Sequence, residues 1–292
     1  MRIVHFSDLH ITCWPRELSA LCDKRVLGLL NFALRRRHQF HPEYVERAVL
    51  RIRTLNPDWV ILTGDITSVG TGSEFVRALE VLAPLCETHT PFELLFVPGN
   101  HDNYVRKRAC REALESTFAR LNRNRWRLAD LPQCLELPGL RVFVADESYP
   151  TSPWQSGGTL SALAWEKLQG WFAEPRKNSE KRLLVGHFPC RRGDGTPLPR
   201  RRRLHGGDLL WNALRDGRVD MALCGHHHQP FLRCEPNGAM EICAGALTVY
   251  GKINVLDFTP LTGKFSQFWV DVSGDGRTPV PLRDTAILPA AP

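Results

Sequence analysis

Five short apolar runs in this chain each end in Asp, Asn or His, and that repeated junction limits the possible folds more than any other feature. Arg2 to Ser7 runs into Asp8 and His10. Trp59-Val60-Ile61-Leu62-Thr63 runs into Gly64-Asp65, and Leu94-Leu95-Phe96-Val97 into Pro98-Gly99-Asn100-His101-Asp102. Leu183-Leu184-Val185 precedes Gly186-His187, and Met221-Ala222-Leu223-Cys224 precedes Gly225-His226-His227-His228. Bounded apolar runs of this length read as strands.

Helical patterns separate them. Over Pro42 to Leu55, Val45, Ala48, Val49, Ile52 and Leu55 recur at helical spacing, with Pro42 placed to start the helix and Asn56-Pro57 to stop it. Phe75 to Leu85, Ala109 to Leu121 and Ser161 to Phe172 follow the same pattern. Strands alternating with helices predict an α/β fold whose crossovers bring the polar strand ends to one side, where ligands gather. In the last third, Met240 to Leu247, Ile253 to Phe258 and Phe265 to Ser273 are strand candidates expected to form a closing antiparallel sheet. No repeat or linker divides residues 1–292, so one domain is expected, with long connections at 14–41 and 188–207.

Composition removes several function classes. The chain is 43% hydrophobic and 24% charged, as ordinary globular proteins are. Its nine Cys are scattered without a CxxC pair, which argues against a four-thiolate zinc site or a thioredoxin-like centre and for a reducing compartment. The start lacks the apolar core of a signal peptide and no run of 18 apolar residues follows. The expected location is cytoplasmic, either free or peripheral to the inner face of the membrane. A formal charge of +7 favours anionic partners.

An isolated Asp or His at a strand end is usually a cap, but five such ends, four with Gly beside the polar cluster, form a pattern. Gly lets the backbone pass close to an ion or take positive φ. As a set, Asp8-x-His10, Gly64-Asp65, Gly99-Asn100-His101-Asp102, Gly186-His187 and Gly225-His226-x-His228 resemble the blocks of the calcineurin-like metallophosphoesterase superfamily. The resemblance implies a four-layer α-β-β-α sandwich with two central mixed sheets. It implies one ion held by Asp8, His10, Asp65 and His228 and a second held by Asp65, Asn100, His187 and His226. Asp65 then bridges, and His227 falls on the variable position.

Two bridged ions about 3.5–4 Å apart can clamp the attacking and leaving oxygens of an in-line displacement. Their field makes hydroxide available near neutrality, so attack on phosphorus requires no Ser or Cys nucleophile. By the same resemblance His101 lies near the scissile phosphate, where it stabilises charge or protonates the leaving oxygen. Asp102 is expected to fix its tautomer. Mixed nitrogen and oxygen ligands suit Mn, Fe, Zn or Co, with two Mn(II) ions the expected cofactors and Fe or Zn the alternatives.

Outside these blocks, residues 17–38 place Leu18, Leu21, Cys22, Val26, Leu29, Leu30, Ala33 and Leu34 at helical spacing between Lys24-Arg25 and Arg35-Arg36-Arg37-His38. Either the apolar face joins the core or it lies in a membrane interface beside anionic headgroups. Arg191-Arg192 and Arg200-Arg201-Arg202-Arg203 form either a solvated face or a clamp for a second phosphate. No aromatic platform accompanies them, which argues against nucleic acid. The expected activity is phosphodiester hydrolysis of small molecules such as cyclic nucleotides. The alternatives are a peripheral hydrolase of UDP-2,3-diacylglucosamine or a similar lipid-linked nucleotide, as in some bacterial superfamily members, and a non-catalytic interaction scaffold. No role is evident for Trp154-Gln155-Ser156-Gly157-Gly158.

Overall fold

The computed structural model describes residues 1–14, 20, 22–34, 38–87, 89–177, 179–274 and 286–287. In chain order the strands are β1 (Arg2–Phe6), β2 (Trp59–Leu62), β3 (Glu93–Phe96), β4 (Gln133–Leu137), β5 (Leu140–Val144), β6 (Gly158–Thr159), β7 (Lys181–Val185), β8 (Leu204–His205), β9 (Met221–Cys224), β10 (Phe231–Cys234), β11 (Met240–Cys243), β12 (Lys252–Thr259), β13 (Lys264–Asp271) and β14 (Ala286–Ile287). The helices are α1 (Arg25–Leu34), α2 (Glu43–Thr54), α3 (Gly72–Val81), α4 (Ala83–Cys86), α5 (Arg108–Leu121), α6 (Ala162–Ala173), α7 (Gly207–Arg215) and α8 (Leu247–Tyr250).

Two six-stranded mixed sheets stand at the centre, ordered β14-β13-β12-β1-β2-β3 and β10-β11-β9-β7-β5-β4. Strand alternation explains why they stack. In β2, Val60 and Leu62 face a core shared with α2, α3 and α5, whereas Ile61 faces the other sheet. In β7, Leu183 and Val185 enter the core between the sheets, while Leu184 packs outward toward Leu168 and Phe172 of α6 and Leu210 and Leu214 of α7. The runs are apolar throughout because both strand faces are buried. Cutting Ile61 to Ala would cost about 2–5 kcal/mol, since no solvent-facing side exists into which the site can relax. The result is an α/β sandwich of two mixed sheets flanked by helices.

The expected helices form with modest shifts. Thr71 and Glu74 cap α3 reciprocally, which starts it at Gly72, three residues before the expected Phe75. The expected 75–85 helix divides into α3 and α4, with Pro84 in the first turn of α4. In α6 the Ser161 hydroxyl accepts from the Ala164 N–H at 3.0 Å.

The closing antiparallel sheet does not form as a unit. β11 enters the second sheet parallel to β9, while β12 joins the first sheet antiparallel to β1 and β13 pairs antiparallel with β12. The expected strand 240–247 stops at Cys243, where Gly245 at φ 72° turns the chain into α8 and carries it to the other sheet. The 17–38 pattern becomes helix at α1, while 15–19, 21 and 35–37 lie outside the described residues. Among the described residues no helix is long and apolar enough to cross a membrane.

Candidate metal centre

Beyond its last residue, β1 stays paired with β2. Asp8 N–H donates to Gly64 carbonyl at 3.0 Å and His10 N–H to Asp65 carbonyl at 2.9 Å. This continued pairing holds Asp8, His10 and Asp65 in one corner. Asp8, His10, Asp65, His226 and His228 all have positive φ, between 46° and 66°. That region is sparsely used by residues with a Cβ, and its cost persists only where surrounding structure enforces it. The kink ends strand alternation and lets neighbours along the chain point at one place.

The glycines leave room for this corner. A Cβ at Gly99 would strike the Asp65 carboxylate, and one at Gly225 would strike Ser7 and Asp8. These contacts explain the expected Gly pattern better than turn formation does.

Two groups of donor atoms result, Asp8, His10, Asp65 and His228 in one and Asp65, His187 and His226 in the other. Within the first, Asp8 Oδ1 lies 3.6 Å from His10 Nε2 and 3.5 Å from His228 Nε2. In the second, Asp65 Oδ2 lies 3.4 Å from His187 Nε2. Asn100 joins it through Oδ1, 2.8 Å from His226 Nδ1. The seven side chains expected to hold metal therefore lie together, and Asp65 is common to both groups.

Hydrogen bonds to carbonyls decide the tautomers. His187 Nδ1 donates to Thr63 carbonyl at 2.5 Å, which leaves its Nε2 as the lone-pair nitrogen. His226 Nε2 donates to Arg202 carbonyl at 2.9 Å, leaving Nδ1 as the lone pair that faces Asn100 Oδ1. Burial above all, helped by the neighbouring His187, keeps His226 neutral by pushing its pKa well below the usual range. Two acceptors at that separation repel unless a cation draws both.

Three further atoms fit the same explanation. Asp8 Oδ1, Asp65 Oδ2 and His187 Nε2 are buried and have no hydrogen-bond partner. Unpaired buried acceptors are costly and rare, and here they point at one another. Burial opposes charge on both Asp65 and His187, yet their mutual attraction wins. Asp65 is held well below the usual carboxylate range and His187 is pushed up to about 10. Without an ion, this pKa keeps a proton on His187 Nε2; a bound ion would displace that proton and take the lone pair. The donor set fits two divalent cations sharing Asp65.

The positions of His101 and Asp102 separate their roles. His101 N–H donates to Asp65 Oδ1 at 2.7 Å, and its ring lies edge-on to His10 with centres 4.8 Å apart. Its Nδ1 faces the Ser68 carbonyl, so that carbonyl, rather than Asp102, orients the ring. Asp102 instead accepts from the N–H and hydroxyl of Thr67, both at 2.9 Å, and from Gly99 N–H at 2.9 Å. It ties the Gly99–His101 loop to β2's exit and has no bond to the imidazole it was expected to orient. Burial, then the Asp65 charge, raises its pKa to about 6.

Several supports had no sequence signal. Glu147, buried, accepts from the N–H groups of His187 and Phe188, each at 2.8 Å. A Cβ on Gly186 would collide with that carboxylate. Residues 154–158 support the centre from further out, because Ser156 N–H bonds Arg201 carbonyl at 2.9 Å and β6 pairs with β8. This strap holds the Arg-rich connection where Arg202 carbonyl reaches His226. Of the Arg side chains there, Arg191 pairs with Asp208 at 2.5 Å and lies 4.1 Å over the Trp211 ring. Arg200, Arg201 and Arg203 are exposed, and Arg202 is half-buried.

The described residues of the earlier connection, among them Lys24 and Phe40, pack beside the opening. Phe40 stacks on His10 with ring centres 5.3 Å apart. Lys24 sits 4.2 Å over the Tyr104 ring, which in turn stacks on His101 at 5.5 Å. The His228 side chain is 25% exposed, which marks the open side of an otherwise enclosed centre.

The fold and this convergence match one family. The model for calcineurin-like phosphoesterases matches residues 1–230, and the chain belongs to that family. Among solved structures, it is similar to a purple acid phosphatase from yellow lupin (Lupinus luteus) at TM-score 0.60 and 13% identity, covering 94% of this chain and 52% of that one. A dimetal phosphatase from Danio rerio matches at TM-score 0.57 and 16% identity over 92% of each chain. A 5'-nucleotidase from Candida albicans matches at TM-score 0.54 and 12% identity, over 93% of this chain and 52% of its own. The chain thus spans about half the length of the lupin and Candida proteins. At these identities the likeness shows the fold. No curated protein matches the chain.

Proposed function

We propose that the protein hydrolyses soluble phosphodiesters, small molecules such as cyclic nucleotides among them. The observation that carries this reading is Asp65, whose carboxylate belongs to both donor groups. Asp8, His10, Asp65 and His228 would hold one divalent ion and Asp65, Asn100, His187 and His226 the other. When bound, the pair supplies Lewis acidity and water of lowered pKa. Mn(II) is the proposed ion, since the mixed donors suit a borderline metal.

The chain's own residues do the rest. His101, fixed at its backbone by Asp65 and through Nδ1 by Ser68, would be the proton donor to the leaving oxygen. Imidazoles and the Tyr104 ring at the mouth suit the single charge and organic arms of a diester. The solved relatives named above are phosphatases and a nucleotidase, which supports phosphate esters as the substrate class. The proposed setting is the cytoplasm.

A second reading, cleavage of a lipid-linked nucleotide such as UDP-2,3-diacylglucosamine, is favoured by α1, which exposes Leu27, Leu30 and Leu34 beside the opening. Turnover of bis(p-nitrophenyl) phosphate, p-nitrophenyl phosphate and a micellar acylated UDP-sugar, each with Mn(II), separates the two. Diester turnover absent from Asp65→Ala supports the first reading. Turnover of only the micellar substrate replaces it with the second, and turnover of only the monoester rejects both.

A further inference from the structure

We infer that α1 is a docking face for an anionic lipid bilayer, placed beside the mouth of the metal centre. The helix has two unlike sides. Arg25 is buried against Asp23 and Cys110, a Cβ at Gly28 would meet the Tyr104 hydroxyl at 3.1 Å, and the Phe32 and Phe40 ring centres are 6.2 Å apart. These three residues face the protein. Leu27, Leu30 and Leu34, at i, i+3 and i+7, are 46%, 50% and 75% exposed.

Such a stripe is the reverse of an ordinary surface helix, whose apolar side faces the core and whose outer side is polar. The inward side here already has its partners, so the leucines are surplus to folding. An exposed tryptophan lies on this side of the molecule: Trp154 is in a turn tied to the residue just before α1, because Lys24 Nζ donates to Thr151 carbonyl at 2.7 Å. Tryptophan favours the headgroup level of a bilayer.

Charge and area select the occupant. The α1 sequence RVLGLLNFAL contains no acid, Asp23 just before it is neutralised by Arg25 and by Lys107, whose neighbour Arg106 is exposed, and the whole chain carries +7. Basic residues around an apolar stripe match an interfacial helix on anionic lipid. A ten-residue helix is roughly 15 Å long. One face of it offers far less than the roughly 800 Å² per partner of a stable protein interface. The geometry therefore favours a bilayer over a second copy of this chain.

The metal-loaded full chain is sedimented with vesicles of phosphatidylcholine, with and without phosphatidylglycerol. Binding is expected only to the anionic vesicles, and the triple variant Leu27→Gln, Leu30→Gln, Leu34→Gln should lower it at least about tenfold. Leu261→Gln, at a leucine 91% exposed elsewhere, should leave it unchanged. Thermal unfolding of the triple variant matching the intact chain shows that its fold is kept. If it does not, amide exchange of α1 in the intact chain is the measurement, and it must slow on anionic vesicles. Equal vesicle binding by a folded triple variant, no binding by the intact chain, unchanged α1 exchange, or a dimer that the triple variant dissolves each overturns the inference. None of these readouts uses turnover, so failure of the enzymatic proposal is a separate result.

Discussion

Asp65 Oδ2 and His187 Nε2 meet at 3.4 Å where the exit of one sheet faces the exit of the other. Both atoms are buried without a hydrogen-bond partner. Asp65 follows β2 and His187 follows β7, so the pair depends on how the sheets stack. Thr63 carbonyl reinforces the arrangement by holding His187 from the first sheet.

Removing the shared carboxylate should affect both ions. Asp65→Ala is expected to bind fewer than two Mn(II) per chain and to lose roughly 10³-fold or more in turnover, the scale of losing preorganised charge stabilisation. Metal counting after dialysis, beside the diester assay, measures both. A variant with two tightly held ions would refute the bridging role.

His101→Ala should separate metal binding from chemistry. Its ring lies beside the first donor group without belonging to it. Turnover is expected to fall about 10²- to 10⁴-fold, as for loss of a general acid, with metal content unchanged. Intact turnover in this variant would remove His101 from the mechanism.

Glu147→Ala tests a support whose hydrogen bonds go to the backbone and not to a ligand side chain. The carboxylate holds the backbone N–H groups of His187 and Phe188. Its loss should weaken one ion about 10- to 100-fold, the usual cost of removing an outer partner of a metal ligand. Glu147→Gln keeps an acceptor and should recover most of the affinity. Titration with Mn(II) that finds Ala and Gln equivalent to the intact chain would contradict the assignment.

Glu74 should make stability depend on pH. Burial, chiefly, raises its pKa from 4.5 to about 7, although the N–H groups of Val69 and Thr71 favour its ionised form. A carboxyl raised on folding contributes stability that is complete below its unfolded pKa and is lost as pH rises through the folded value. The intact chain should therefore lose stability relative to Glu74→Gln between about pH 4.5 and 7, by about 3 kcal/mol at ~1.4 kcal/mol per pKa unit. Thermal melts of both proteins across this range should diverge; parallel melts would show that Glu74 is not raised.

Much of the centre was legible because its parts are local. An apolar strand, a Gly and a polar ligand lie within a few consecutive residues, so five such junctions announce both the strands and the donor types. Asp8, His10, Asp65, Asn100, His187, His226 and His228 all follow from this pattern, as do the main helices from their spacing. Tertiary structure alone decided which sheet each strand joins, because apolar runs buried on both faces look alike in sequence. It sent β11 to one sheet and β12 to the other. It also decided the partners that orient each ligand: Thr63 for His187, Arg202 for His226, and Ser68 in place of Asp102 for His101. All three are backbone carbonyls, which every residue carries, so no residue type could reveal them. The two faces of α1 are a further case, since helical spacing shows where leucines recur but only packing decides which of them remain in water.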